Sequence, residues 1–261
     1  MKLHFYKYQA TGNDFIMIDN RNKSVQLSKE QVYALCDRHL GIGADGLILL
    51  SPDDDSDFYM TYFNSDGNES TMCGNGGRCI TAFASMLKLI GKAARFNAID
   101  GLHQSTIAYQ SNKNMHIRLK MTDVDKIIKT ENSFTLNTGS PHWVTFAEKI
   151  GLLDMVKEGR EIRYSSSYVQ EGINVNYAEI HDDFLFIRTY ERGVEEETLS
   201  CGTGVTASAL VYSFEYHAAS PVKIKTKGGD LKVSFTEAGG SYQNIWLEGP
   251  AKSVFEGDIE I

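Results

Sequence analysis

Leu3–Tyr8 and Phe15–Ile18 are short stretches of β-type composition on either side of Thr11-Gly12-Asn13-Asp14, whose Gly and Asn suit turn angles, so a hairpin is predicted at the start of the chain. The period then lengthens. Ser28 and Gln31 have capping-box spacing, and Val32, Leu35, Cys36 and His39 follow at helical intervals, predicting a helix over 28–39 with Cys36 as a small hydrophobe on its apolar face. Gly41, Gly43 and Gly46 spell a dinucleotide-type glycine pattern, but they follow a helix and precede the apolar run Leu47–Leu50. That order is the reverse of the strand, loop and helix that phosphate binding requires, and the segment reads as a turn.

Phe58–Phe63 alternates as a strand, residues 64–71 form a polar loop, and Met72-Cys73-Gly74-Asn75-Gly76-Gly77-Arg78 leads into a helix marked by Ile80, Phe83, Ala84 and Leu87, with Gly91 placed to end it. Residues 93–120 alternate as a meander of strands. The second half repeats this arrangement. Phe184–Tyr190 is a strand, residues 191–198 a polar loop, and Ser200-Cys201-Gly202-Thr203-Gly204 opens a helix carrying Val205, Ala209 and Tyr212. The two cysteines are separated by 201 − 73 = 128 residues, close to half the chain, which points to internal duplication. The expected architecture is α+β with two pseudo-symmetric lobes, 1–118 carrying Cys73 and 119–261 carrying Cys201. The pattern leaves open whether Ser253–Ile261 returns to the first lobe.

Composition narrows the setting. With 261 residues, 42% hydrophobic and 23% charged, the chain can build one large core or two ordinary ones. A net charge of −8 argues against nucleic acid or anionic membrane as a partner, because no basic field is present to displace counterions. Met1–Asp19 lacks the order of a signal peptide, and no apolar run reaches the ~20 residues of a membrane span. A cytoplasmic protein is expected. Four cysteines are too few for a disulfide scaffold at this length, and neither a C-x-x-C pair nor a nearby His completes a metal set, so no metal is expected.

A thiol at a helix start sits where unpaired amides and the helix dipole favour negative charge, so Cys73 and Cys201 are candidates for proton transfer. The amides of Gly74, Asn75, Gly202 and Thr203 would form a nest for a carboxylate. Two such loops acting on one α-amino acid would place a thiol on each face of Cα, one removing the proton and the other replacing it. Amide donors on the carboxylate would stabilise the enolate-like carbanion between the two steps.

Thr11-Gly-Asn-Asp-Phe15, Phe63-Asn-Ser-Asp-Gly67, Met72–Cys79, Gly139-Ser-Pro-His142, Asn174-Val-Asn176, and Glu191-Arg-Gly193 leading to Cys201-Gly-Thr-Gly204 together resemble the diaminopimelate epimerase family. The resemblance runs from about residue 7 to 210. It implies a cofactor-independent interconversion of LL- and meso-2,6-diaminopimelate for lysine and peptidoglycan synthesis. It also implies two lobes, each a curved, mostly antiparallel sheet around a central helix, and commonly a homodimer. By resemblance Cys201 is the base toward the LL substrate and Cys73 the acid. Asn13, Asn64, Asn174, Glu191 and Arg192 are substrate ligands, and His142 and Glu191 tune the thiols. Ser140 stands where many members have Asn, and Gly46 where some have glutamine, which puts a direct contact from either in doubt.

Proline racemases and hydroxyproline epimerases share the expected architecture, but typically carry His where this chain has Asn75 and an Asp-Arg-Ser-Pro run that is absent here. Phenazine-pathway isomerases place an acid at the position of Cys73. A cysteine hydrolase would need one nucleophile with a dedicated His, and a dithiol oxidoreductase would need Cys73 and Cys201 to cycle through a disulfide. A non-catalytic amino-acid-binding protein is a further alternative.

Overall fold

The computed structural model describes residues 2–111 and 114–261. They form two compact units, one running up to Leu119 and including Gly249–Ile261, the other Lys120–Glu248. In the first, the elements in order are β1 (Lys2–Ala10), β2 (Asn13–Asp19), α1 (Lys29–Cys36), β3 (Gly46–Ser51), β4 (Phe58–Asn64), β5 (Glu69–Ser70), α2 (Gly74–Met86), β6 (Ala93–Ala98), β7 (Gly101–Ser111) and β8 (Asn114–Lys120). Then follow β9 (Ile128–Lys129), β10 (Phe134–Asn137), β11 (Pro141–Phe146), α3 (Met155–Arg163), β12 (Asn174–Ile180), β13 (Leu185–Glu191), β14 (Glu196–Thr198), α4 (Gly202–Tyr216), β15 (Val222–Thr226), β16 (Gly229–Ala238) and β17 (Ser241–Glu260).

The same path is traced in both units. β1–β2 is antiparallel, β2–β3 parallel, β3–β4 antiparallel and β4–β6 parallel, with Phe58 opposite Phe96. β10–β11, β11–β12, β12–β13 and β13–β15 repeat that series, with Leu185 opposite Ile224. Each β2–β3-type parallel pair needs a crossover, which α1 and α3 supply. In the first unit β6–β7, β7–β8, β8–β17 and β17–β1 continue antiparallel, and the last of these closes the ring of strands. β17 therefore serves both units: its first half pairs with β16 in the second, and from Gly249 it belongs to the first.

Inside each curved sheet lies one helix. In α2 every residue from Gly74 to Ala84 is buried, and α4 is buried from Gly202 to Val211 except at Thr203. Neither has a polar face to offer solvent, so a surface position is closed to both. Their hydroxyls turn back on the helix instead, Thr81 to the Gly77 carbonyl at 2.8 Å and Ser208 to the Gly204 carbonyl at 2.9 Å. α1 packs outside the first sheet, where Val32, Leu35 and Cys36 join Leu3, Ile16, Ile18 and Leu47. α3 does the same in the second, with Met155 against Val175 and Tyr190.

The structure shifts several boundaries. The capping box of Ser28 and Gln31 forms, but α1 stops at Cys36 rather than 39. Asp37 leaves the helical region and its carboxylate accepts from the His39 and Leu40 amides at 2.8 and 2.7 Å, an alternative to continuing the helix that leaves His39 exposed. Gly91 does not end α2. The helix ends at Met86 because Lys88 adopts a left-handed φ of 57°, and the Lys88 and Leu89 amides fold back on Ser85 and Ala84. In the first hairpin Thr11 and Gly12 take the positive φ values, while Asn13 and Asp14 already lie in β2. The polar loops before the two cysteines contain the short strands β5 and β14.

Candidate active site

Each cysteine is the N-cap of a central helix, with extended backbone angles (φ −101°, ψ 149° at Cys73; φ −112°, ψ 114° at Cys201). The first helical hydrogen bond is matched: Gly77 donates to the Cys73 carbonyl at 2.8 Å and Val205 to the Cys201 carbonyl at 2.9 Å. First-turn amides have no acceptor inside the helix, so each cysteine stands beside a set of backbone donors. Cys73 Sγ accepts from the Gly76 amide at 3.2 Å, and Cys201 Sγ lies 3.4 Å from the Thr203 hydroxyl.

The second glycine of each motif sits in close packing, tight at Gly76 and closed to any side chain at Gly204. A Cβ on Gly76 would meet Cys73 Sγ and Ile48 Cδ1 at 3.2 Å, and one on Gly204 would fall 2.3 Å from Asn176 Oδ1. The Cys-Gly-x-Gly motif and the Asn174-Val-Asn176 motif thus constrain one another in space.

In the first unit Asn75 Nδ2 donates to Asn13 Oδ1 at 3.2 Å, and Asn13 Nδ2 donates to Asp45 at 2.7 Å. Asp45 and Asp14 share Arg38, and Asp14 also pairs with Lys7 at 2.9 Å. Burial works against ionisation of Asp14, but the hydrogen bonds and charges of Arg38 and Lys7 outweigh it and bring the carboxyl down to about 2. Asn64, half-buried at the end of β4, lies opposite Gly46 in β3, and Gly46 itself has no side chain to offer.

In the second unit Asn174 is buried and its amide is committed to the protein. It donates to Ser140 Oγ at 2.8 Å and the Pro141 carbonyl at 3.1 Å, and accepts from the Arg192 backbone amide at 2.9 Å. The exposed Arg192 guanidinium donates to the Glu171 carbonyl at 2.9 Å and reaches Ser140 Oγ at 3.4 Å. Asn174 and Ser140 therefore hold Arg192 in place. Glu191, at the end of β13, accepts from the Thr198 hydroxyl at 3.0 Å.

Asp45, Thr11, Thr138, Asn176, Thr189 and Arg78 were not selected as site residues from sequence. Thr138 donates to the Thr203 carbonyl at 3.0 Å, and Asn176 accepts from Thr189 at 2.9 Å while its Nδ2 meets His142 Nδ1 at 3.1 Å. Thr11, Arg78 and Asn176 lay within quoted motifs without a role being read for them; for Asp45, Thr138 and Thr189 no local pattern distinguishes them from ordinary turn and strand residues.

The remaining thiols differ in kind. Burial pushes Cys36 up to about 12 and Cys79 higher still, so both stay protonated and neither suits proton exchange near neutral pH.

Comparison with known proteins bears on the whole chain. The family model for diaminopimelate epimerase matches residues 5–127 and 134–254. A diaminopimelate epimerase of Flavobacterium psychrophilum is 51% identical over 99% of this chain and 100% of its own length. That of Chlorobaculum tepidum is 42% identical over 97% and 99%. The chain belongs to the diaminopimelate epimerase family. Solved structures with the same fold diverge far more: a Bacillus anthracis phenazine biosynthesis protein of the PhzF family superposes with a TM-score of 0.77 at 15% identity, covering both chains fully. A hydroxyproline epimerase from Agrobacterium vitis gives 0.70 at 13%, covering 99% of this chain and 92% of that one. At those identities the likeness speaks of the fold alone. Among the described residues no helix is long and apolar enough to cross a membrane.

Within this member of the family His142 is fully buried in β11, and burial, with the Arg192 charge added, lowers it to about 3 despite its hydrogen bond to Asn176. The imidazole is therefore neutral near pH 7. Because the folded value lies below the ordinary 6.5, the stability linked to this group is complete above pH 6.5 and is lost as the pH falls toward 3. Urea titrations at successive pH values should show His142→Gln less acid-sensitive than the parent, by at most about 1.4 kcal/mol per pH unit in that window. Parallel stability curves for the two proteins would show that the buried imidazole is not the source.

Proposed function

We propose that the chain interconverts LL- and meso-2,6-diaminopimelate by proton transfer at Cα, with Cys201 and Cys73 as base and acid and no cofactor. The observation that carries this reading is the pair of matched Cys-Gly-x-Gly helix starts in a chain that the family model matches over residues 5–127 and 134–254. Toward the LL substrate, the Cys201 thiolate takes the Cα proton and becomes a thiol. The electron pair left behind is delocalised into the α-carboxylate, where amide donors stabilise it. Cys73 then gives its proton to the opposite face and becomes the thiolate. Each turnover leaves the two thiols in exchanged protonation states, ready for the reverse reaction or for reset through solvent.

Gly74, Asn75, Gly202 and Thr203 supply the carboxylate donors in this scheme, and Asn13 keeps the Asn75 side chain in place. Asn64, Glu191 and Arg192 recognise the rest of the substrate, while Asn174 acts by fixing the Arg192 backbone. His142, being neutral, acts on the second half-site as a dipole and hydrogen-bonding ring rather than as a charge. The reading further makes the enzyme a cytoplasmic homodimer acting in lysine and peptidoglycan precursor synthesis.

The direct test is epimerisation of LL-diaminopimelate by protein dialysed exhaustively and assayed with excess chelator. Undiminished conversion to the meso isomer is the expected result. No conversion, or activity that returns only with added metal or pyridoxal phosphate, would overturn the reading.

A further inference from the structure

The two helix starts match position by position, but five residues beyond each cysteine their chemistry differs. In α4 the position is Thr206, whose hydroxyl donates to the Gly202 carbonyl at 2.9 Å. In α2 it is Arg78, whose Nη1 donates to the equivalent Gly74 carbonyl at 3.1 Å. The same carbonyl is capped in both units, by a neutral hydroxyl in one and by a cation in the other.

Arg78 is fully buried. Its other contacts are Asn75 Oδ1 at 2.8 Å, Thr11 Oγ1 at 3.2 Å and the Pro250 carbonyl at 3.5 Å. All are neutral acceptors, and among the described residues no carboxylate reaches it. Buried charges are ordinarily paired, because an isolated one is expensive to remove from water. Burial lowers Arg78 only to about 10, so it remains a cation at neutral pH. On its own helix the anion-forming groups near it are Cys73 and Cys79, and burial keeps Cys79 a thiol. β1 brings Tyr8 against Phe83 of α2, and burial holds it neutral, while Lys7 pairs with Asp14 and donates to the Gly43 carbonyl and Asp14 also pairs with Arg38. From β17, Pro250 offers only its carbonyl. The charge left for Arg78 to meet is a thiolate at Cys73, together with any carboxylate held by the Gly74 and Asn75 amides.

We propose that Arg78 is a positioning residue that makes the two half-sites electrically unequal: it anchors the Gly74–Asn75 donors and biases the resting enzyme toward thiolate at Cys73 with the proton on Cys201. This rests on the two-thiol reading above. Substrate then meets an enzyme whose major form has Cys73 as base, and the protonation state needed for the opposite direction is the minor one.

The bias is read without substrate. Intact protein is pulsed with iodoacetamide across the pH range in which thiols titrate, and labelling of Cys73 and Cys201 is followed by peptide mass spectrometry. Comparing the pH midpoint of each thiol, rather than its rate, removes their difference in access to the reagent, and the shift on replacing Arg78 isolates its charge from the difference in burial. The Cys73 midpoint should lie below that of Cys201. In Arg78→Met it should rise by about one pH unit or more, the scale of losing a nearby opposite charge, and Arg78→Lys should retain the parental order. A Cys73 midpoint at or above that of Cys201 in the parent protein, or one unmoved in folded Arg78→Met, would overturn the proposal. Should Arg78→Met fail to fold, Arg78→Gln takes its place and is read by the same criterion. Failure of the two-thiol reading would show separately, as absence of epimerisation.

Discussion

Replacing Cys73 or Cys201 with alanine lowers inversion of LL-diaminopimelate by about 10²- to 10⁴-fold, since each removes a group that general acid–base catalysis cannot spare in either direction. The physical reason is that inversion needs one proton taken from one face of Cα and another delivered to the opposite face. A protein with a single thiol keeps only half of that sequence, so Cys73→Ala retains exchange of the LL substrate's Cα hydrogen with solvent while losing inversion. Serine is nearly as damaging at either position, because a hydroxyl is a far weaker acid than a thiol. Cys36→Ala and Cys79→Ala serve as controls: both thiols are buried and held protonated, so stability changes by about 1 kcal/mol while activity persists. In heavy water, product formed early from LL substrate carries deuterium at the inverted centre. Close to parental activity in a folded Cys73→Ala or Cys201→Ala protein, or return of the original hydrogen to the opposite face, would contradict the mechanism.

Lysine, which lacks the second carboxylate of diaminopimelate, turns over at least about 10⁴-fold more slowly in kcat/KM, because a truncated substrate leaves buried or oriented polar groups without partners. The groups concerned are Arg192, held by Asn174, Glu171 and Ser140, and Glu191 beside it. Ser140 receives hydrogen bonds from both Asn174 and Arg192, so the hydroxyl that replaces the commoner Asn still helps organise this end. Initial rates of Cα deuterium exchange for the two compounds provide the comparison, with L-proline as a second control. Similar values for diaminopimelate and lysine would show that these groups do not read the distal end.

Much of the fold was legible wherever a few neighbouring residues carried the information. The strands from Phe58 and from Ala93 onward, the capping box at Ser28, and the two helix starts after Cys73 and Cys201 all follow from alternation, helical spacing or cap chemistry. The errors fell where a local competitor was stronger than the pattern. Asp37 ended α1 by capturing two amides, and Lys88 took the left-handed position that a glycine three residues later had suggested.

What the sequence determined by itself is therefore the doubled strand, loop, cysteine and helix unit and the chemistry of its two helix starts, because helix ends and periodicity are set within a turn or two of chain. Tertiary structure alone decided which polar groups are spent and which charge, among the described residues, meets no carboxylate. Arg78 meets Thr11 from 67 residues away and Pro250 from 172, and His142 meets Asn176 from 34, separations at which no local spacing predicts contact. It likewise decided that the C-terminal half of β17 closes the first ring against β1 and β8. A strand's pairing partner is chosen by which edge the folded sheet leaves open, and that edge exists only once the rest of the ring has formed.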